Sequence, residues 1–324
     1  MKKLVCLVLT ALTLLPLVGC GGKKAPYMIM VNTVNGVAVY DAMAAAAKEA
    51  AEDYGVRLEV TGPTADQIEE IDAVIIQAME DAVAKKPDAI ICEPMTDASK
   101  DVIEKAREAG IAVFCISSPA REGDYIAVIG TDNAAYGVRA ADLLAEKTSG
   151  KGQVLAVISR ADIVNQQEQL KAFTDRLADK YPDMAVSAVV EDHTSTEMAE
   201  EAVREALTDH PEIDSVLMLE AVAGPTAAKV GKESGRDLLI LGIDADKVTL
   251  DAVRSGDIFA TLVQNHEKRG YEVIRMAYEH LAGERTFEPG TFVDSSILLI
   301  TDAEVDQVDE IMQNAICRKG SPWQ

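Results

Sequence analysis

Between Leu238 and Gly283 the chain reads LLILGIDADKVTLDAVRSGDIFATLVQNHEKRGYEVIRMAYEHLAG, and no other stretch confines the fold so tightly. Leu238 to Ile243 is an uninterrupted apolar run, the pattern of a parallel strand buried on both faces. A short helical segment, Thr249 to Ser255, leads to a second such run, Ile258 to Val263. The helix that follows carries Gly270, Ile274, Ala277 and Leu281 on one apolar face. Strands joined by helical connections pair in parallel. Both runs end in polar residues: Asp244 after the first, and Gln264, Asn265 and His266 after the second. Open α/β sheets bind ligands outside the carboxyl ends of their strands, which makes Asp244 a candidate pocket acid. The alternative is a helix cap, since Asp244 and Asp246 both precede a helix.

The same rhythm fills the rest of the chain. Strands are predicted at Met28–Asn32, Leu58–Thr61, Ala89–Cys92, Ala112–Ile116 and Ile126–Ile129, with helices at about 38–54, 66–85 and 97–109. A second series of strands follows at Val154–Ile158, Ala185–Val190, Ser215–Leu219, Leu238–Ile243 and Ile258–Val263. Two such series exceed what one core usually holds, so two α/β lobes are expected. Val305, Val308, Ile311, Met312 and Ile316 predict a last amphipathic helix over Asp302–Cys317.

Gly242-Ile243-Asp244, the segment ending Arg254-Ser255-Gly256-Asp257, and Ala260-Thr261-Leu262-Val263-Gln264 before a long helix resemble the ribose-type periplasmic sugar-binding proteins, substrate-binding components of ABC importers. The resemblance runs from about Tyr27 to Ile300. It implies two doubly wound parallel-sheet lobes joined by a three-segment hinge, the type I periplasmic binding protein fold. The crossings fall near Gly130-Thr131-Asp132, Asn265 and Val293. The first lobe would then be 27–130 plus 266–293, and the second 131–265 plus 294–324.

Residues 1–20, MKKLVCLVLTALTLLPLVGC, combine two lysines, a short apolar run and Leu17-Val18-Gly19-Cys20. This is the build of a secretory signal rather than a membrane span. Its last four residues resemble a lipoprotein lipobox, with Cys20 the lipidated residue and 21–26 a tether. Loss of Lys2 and Lys3 with the signal takes the net charge from −23 to about −25. So acidic a surface argues against nucleic acid as a partner. Cys92, Cys115 and Cys317 remain, an odd number without metal spacing, and no disulfide framework, metal or cofactor is expected.

Enzyme motifs are missing: there is no GxGxxG after a strand, no phosphate loop, no GxSxG and no HExxH. His193, His210, His266 and His280 lack ligand or triad spacing. His266 stands out beside Gln264, as either a junction residue or a surface residue of a helical first turn. The resemblance implies ligand contacts at Asn32, Asp244 and Gln264, where residue types agree with the family. The remaining family positions fall on Ser117, Ser118, Gln167, Thr194 and Glu220, without the family's arginines and aromatics. The aromatic pair after the first strand becomes Ala38 and Val39, with Tyr40 next to it. If Glu220 and Asp244 both face the cleft, the potential is negative, and a neutral polyol, a sugar or a cationic amino sugar fits better than an anion. If Glu220 turns to solvent, that argument lapses. The expected function is capture of such a ligand by lobe closure, without catalysis, by an extracytoplasmic, lipid-anchored monomer that hands it to a permease. A sensory module for a receptor kinase or chemoreceptor is the alternative.

Overall fold

A computed structural model describes residues 24–94, 97–117, 125–221 and 224–320. Residues 1–20, Cys20 among them, and Ser118 lie outside the described residues. Two six-stranded sheets organise the chain. The first contains β1 (Tyr27–Val31), β2 (Arg57–Thr61), β3 (Ala89–Cys92), β4 (Ala112–Ser117), β5 (Ala127–Gly130) and β11 (Thr291–Asp294), in the order 11-5-4-3-1-2, all parallel. The second contains β6 (Lys151–Ile158), β7 (Asp183–Glu191), β8 (Ser215–Met218), β9 (Leu239–Ile243), β10 (Ala260–Gln264) and β12 (Ile297–Ile300), in the order 12-10-9-8-6-7. Only its edge strand β12 runs antiparallel, against β10.

Period-two alternation makes each sheet a two-sided core. In β1, Met28 and Met30 face helices α1 (Ala38–Tyr54) and α9 (His266–Ala282), while Ile29 and Val31 face α2 (Ile71–Ala84) and α3 (Lys100–Glu108). All four are essentially unexposed. Complete burial of such a side chain stabilises by about 1.5–3 kcal/mol, which is why the strands read as unbroken apolar runs. Cys92 and Cys115 are paired in register on β3 and β4 as buried free thiols. The second lobe is built the same way, with α4 (Asn133–Thr148), α5 (Val164–Lys180), α6 (Thr196–Asp209), α7 (Gly224–Glu233) and α8 (Lys247–Ser255) around its sheet.

The chain passes from the first sheet to the second after β5, and α4 then packs on the second lobe. It returns after β10, where Asn265 caps α9 by accepting the Lys268 N–H at 2.8 Å. It crosses again at Ser295-Ser296, between β11 and β12. Helix α9 rejoins the first lobe by pressing onto the alanine face of α1, where Ala46, Ala47, Ala50 and Ala51 are buried. Gly270 makes this approach possible, since a Cβ there would lie 2.0 Å from the Met43 carbonyl oxygen.

Three expectations need correction. The last helix is shorter than its stripe suggested: α10 spans only Val308–Asn314, because the Thr301 and Glu304 side chains bond each other and hold the preceding residues in turns. The short strands β11 and β12 were not anticipated, because each spans four residues and neither is fully buried. The tail does not stay with the second lobe: Ile316 sits in the first-lobe core, Arg318 pairs with Glu49 of α1, and the Lys319 N–H donates to the Tyr271 hydroxyl of α9 at 2.8 Å.

Candidate functional site

Strands of both sheets end at the junction between the lobes, and their last residues turn polar there. Asp244 follows β9 with its backbone in the left-handed region, φ 58°. The turn is fixed on three sides. The Asp244 N–H donates to Leu262 O at 3.0 Å, its carbonyl accepts the Thr261 hydroxyl at 2.8 Å, and its Oδ1 accepts the Gln264 N–H at 3.3 Å. The cap of α8 is Asp246, whose Oδ1 accepts Val248 N–H at 2.9 Å and Thr249 N–H at 3.1 Å. Asp244 is therefore left to the junction. Its side chain is 12% exposed, and the His266 Nε2 lies 3.8 Å from its Oδ1.

The first lobe contributes Glu93, which follows β3 and is 7% exposed. The Thr33 hydroxyl donates a hydrogen bond to its carboxylate, and the Ser117 hydroxyl acts on it from nearby. Burial pushes the Glu93 carboxyl above its usual range, against the opposing pull of those hydroxyls and of Arg269 and His266. Tyr40, in the first turn of α1, meets the acids of both lobes. Burial, followed by the fields of Glu93, Glu220 and Asp244, drives its phenol far above the ordinary range, with only Arg269 acting the other way. Its ring meets His266 edge-on, centroids 6.2 Å apart. From the second lobe, burial and then the field of Asp244 raise the Tyr136 phenol, whose hydroxyl has no hydrogen-bond partner.

Arg269, 2% exposed, ties this junction together. Its Nε donates to Ser295 Oγ at 3.1 Å, its Nη1 to Ser117 Oγ at 3.1 Å, and its Nη2 to Gln264 Oε1 at 2.8 Å and to the Thr131 hydroxyl. Thr131, Gln264 and Ser295 each stand at one of the three crossings between the sheets. All four partners are neutral. Burial lowers the Arg269 pKa, opposed by Glu93 and Asp244.

A periplasmic binding protein domain model matches residues 28–285, most of the chain. The chain belongs to the periplasmic binding protein family. This binding protein is 27% identical to AraP, an arabinose binding protein from Geobacillus stearothermophilus, with a TM-score of 0.75 over 88% of this chain and 99% of that one. It is also 27% identical to GanP, a glucose-galactose binding protein from Geobacillus stearothermophilus, with a TM-score of 0.79 over 87% and 99%. Among curated relatives, it is 26% identical to a xylitol-binding protein of Mycolicibacterium smegmatis over 61% of this chain, a match that spans only 55% of that protein. The ribose import binding protein RbsB of Bacillus subtilis is 24% identical over 64% of this chain and 67% of its own length.

The binding protein's structure sorts the residues expected from sequence. Asp244, Gln264 and Ser117 share the junction, the last with its backbone at φ 62°. Glu220 is half-buried and acts electrostatically on Tyr40. Asn32 is completely buried: its amide donates to Asn35 Oδ1 at 3.0 Å, and its Oδ1 has no partner. Gln167 and Thr194 are exposed and bonded within their own loops, Gln167 to the Ala161 carbonyl and Thr194 N–H to Asp192 Oδ1 at 2.8 Å. Among the described residues neither joins the central cluster. His266 is 8% exposed, so the surface alternative for it fails.

Sequence reasoning passed over Glu93, Arg269 and Tyr136. Glu93 had a signal, since it is an acid directly after the buried run Ala89–Cys92, placed as Asp244 is after its own run. Arg269 and Tyr136 had none, because nothing local distinguishes a buried polar residue on a helix from an exposed one. Open surface depressions also lie away from the junction, one beside Asp142, Lys180 and Tyr181 and one beside Thr61, Asp81 and Lys85. The junction is the stronger candidate, because strand ends from both sheets and unpartnered buried polar atoms gather there.

Proposed function

We propose that this chain is the ligand-capturing component of an ABC importer, which takes a small hydroxyl- or amine-bearing compound such as a sugar or polyol between its lobes and delivers it to a membrane permease. The observation that carries the reading is the meeting of Asp244 and Gln264 from one lobe with Glu93 and Ser117 from the other, around a hinge of three crossings. Membership of a periplasmic, extracytoplasmic binding protein family supports it, as do relatives whose names are ribose import, arabinose and xylitol binding proteins. Capture follows from the geometry: a ligand that bonds both sets of strand ends favours the closed arrangement by its difference in affinity for the two. The chain binds and releases without making or breaking covalent bonds.

In the same reading the 27–130 plus 266–294 segments form one lobe, 131–265 plus 295–314 the other, and Cys20 carries a lipid that holds a monomer at the membrane. Calorimetric titration with pentoses, hexoses and polyols tests the capture role, and lipid labelling of the wild type against Cys20→Ala tests the anchor. Failure of every small polar compound to bind would remove the transport reading.

A further inference from the structure

Buried carboxylates of both lobes gather at the junction. Glu93 and Asp244 are 7% and 8% exposed as residues, and Glu220 lies within electrostatic reach of the same Tyr40 phenol. The guanidinium between the lobes does not answer them with hydrogen bonds, since its N–H groups go to Ser117, Thr131, Gln264 and Ser295. Glu93 and Asp244 therefore feel the field of Arg269 without a hydrogen bond from it.

Two further observations are independent of that acidic cluster. Both ring nitrogens of His266 are buried without any hydrogen-bond partner, although the side chain is 10% exposed, its Nε2 stands 3.8 Å from Asp244 Oδ1 and its ring packs on Tyr40. Asn32, one residue before the threonine that holds Glu93, leaves its Oδ1 unpaired at 0% exposure. A buried acceptor without a donor costs about 1–3 kcal/mol, so Asn32 Oδ1 and the unprotonated nitrogen of a neutral His266 mark where a donor is to arrive.

Resting on the capture reading above, we propose that the cleft selects a cationic, amine-bearing ligand, with the ammonium held by Glu93 and Asp244 and flanked by Tyr40 and His266. An ammonium offers three N–H donors and no acceptor, which matches a site rich in acceptors. It also offsets buried negative charge that a neutral sugar leaves uncompensated. The tyrosine ring adds a face for a cation. A carboxylate on the ligand is repelled by the same groups.

Calorimetric titration of the full chain with matched sets decides it: glucosamine, galactosamine and mannosamine, the neutral hexose corresponding to each, and glucuronate and galacturonate. An amine that binds at least tenfold more tightly than its hydroxyl counterpart, with the uronates weakest, is the expected result. Neutral sugars binding as tightly as their amines overturn the charge selection and leave the capture reading intact. Absence of binding by every member overturns both. In Glu93→Gln, which keeps the shape and removes the charge, the ratio of amine to neutral-sugar affinity is expected to fall at least tenfold. An unchanged preference in a variant with wild-type melting temperature removes Glu93 from the role.

Discussion

Arg269 Nη2 lies 2.8 Å from Gln264 Oε1, and this one hydrogen bond joins the helix that completes the first lobe to the strand end that lines the second. The Thr131 hydroxyl donates to the same oxygen at 3.0 Å. The hinge is therefore a bonded node and not merely three loose strands of chain.

Arg269→Lys tests the node. Lysine keeps the charge but lacks the planar fork, so it cannot reach Ser117, Ser295 and Gln264 together. We expect a loss of about 2 kcal/mol in urea-induced unfolding, the cost of leaving buried partners unpaired. A midpoint within error of the wild type would show that the fork contributes nothing.

Asp244→Asn and Asp244→Ala separate charge from backbone. Asparagine tolerates the left-handed conformation at φ 58°, whereas alanine strains there by about 1 kcal/mol. Both variants should lose about ten- to a hundredfold in affinity for the tightest ligand of the titration panel, the measure of a lost charged hydrogen bond. Only Asp244→Ala should also melt earlier. Equal melting temperatures with lost binding would leave the strain argument without support.

Much of the fold was legible in the sequence, for a physical reason. Parallel strands buried on both faces, such as Ala89–Cys92 and Leu239–Ile243, must be apolar throughout, and the residue that first breaks the run marks the ligand end of the sheet. Asp244 and Gln264 were found that way. Edge strands lack the signal: Thr291–Asp294 alternates between half-buried and exposed positions and reads as loop. Arg269 is a product of tertiary geometry alone, since its neutral partners come from positions 117, 131, 264 and 295. The position of the tail was equally illegible, because Ile316 fits one apolar stripe with Val308 and Met312 although it packs on the other lobe.

Gly270→Ala places a methyl 2.0 Å from the Met43 carbonyl oxygen, a backbone atom that cannot swing away. Helices α1 and α9 must then separate, at a cost of about 1–3 kcal/mol. Differential scanning calorimetry should show a lower melting temperature. No change would mean that the two helices slide past each other freely.

Asp192 carries a pH signature. Its carboxyl is fully buried, with Oδ2 unpartnered, and burial pushes its pKa up to about 6 from 3.8. The native state thus holds this proton more tightly than the unfolded chain, so the contribution is present below about pH 4 and is lost as pH rises through about 6. Asp192→Asn keeps an oxygen for the Thr194 N–H and does not titrate. The wild-type melting temperature minus that of the variant should fall between pH 4 and 7; a flat difference would place the titration elsewhere.

Stopping the chain after Ala315 removes Ile316 from the first-lobe core together with the Arg318–Glu49 pair and the Lys319–Tyr271 bond. Burial of one isoleucine alone is worth about 1.5–3 kcal/mol. The truncated chain should melt several degrees lower. An unchanged transition would mean that the tail rests on the surface without holding it.

Helix α1, made early, has as its main neighbour α9, which is made from residues 266–282, and the edge of its sheet is closed only by residues 291–294. A growing polypeptide therefore cannot finish its first half until nearly all of the second has been synthesised. Completion of the first lobe is deferred to the end of translation.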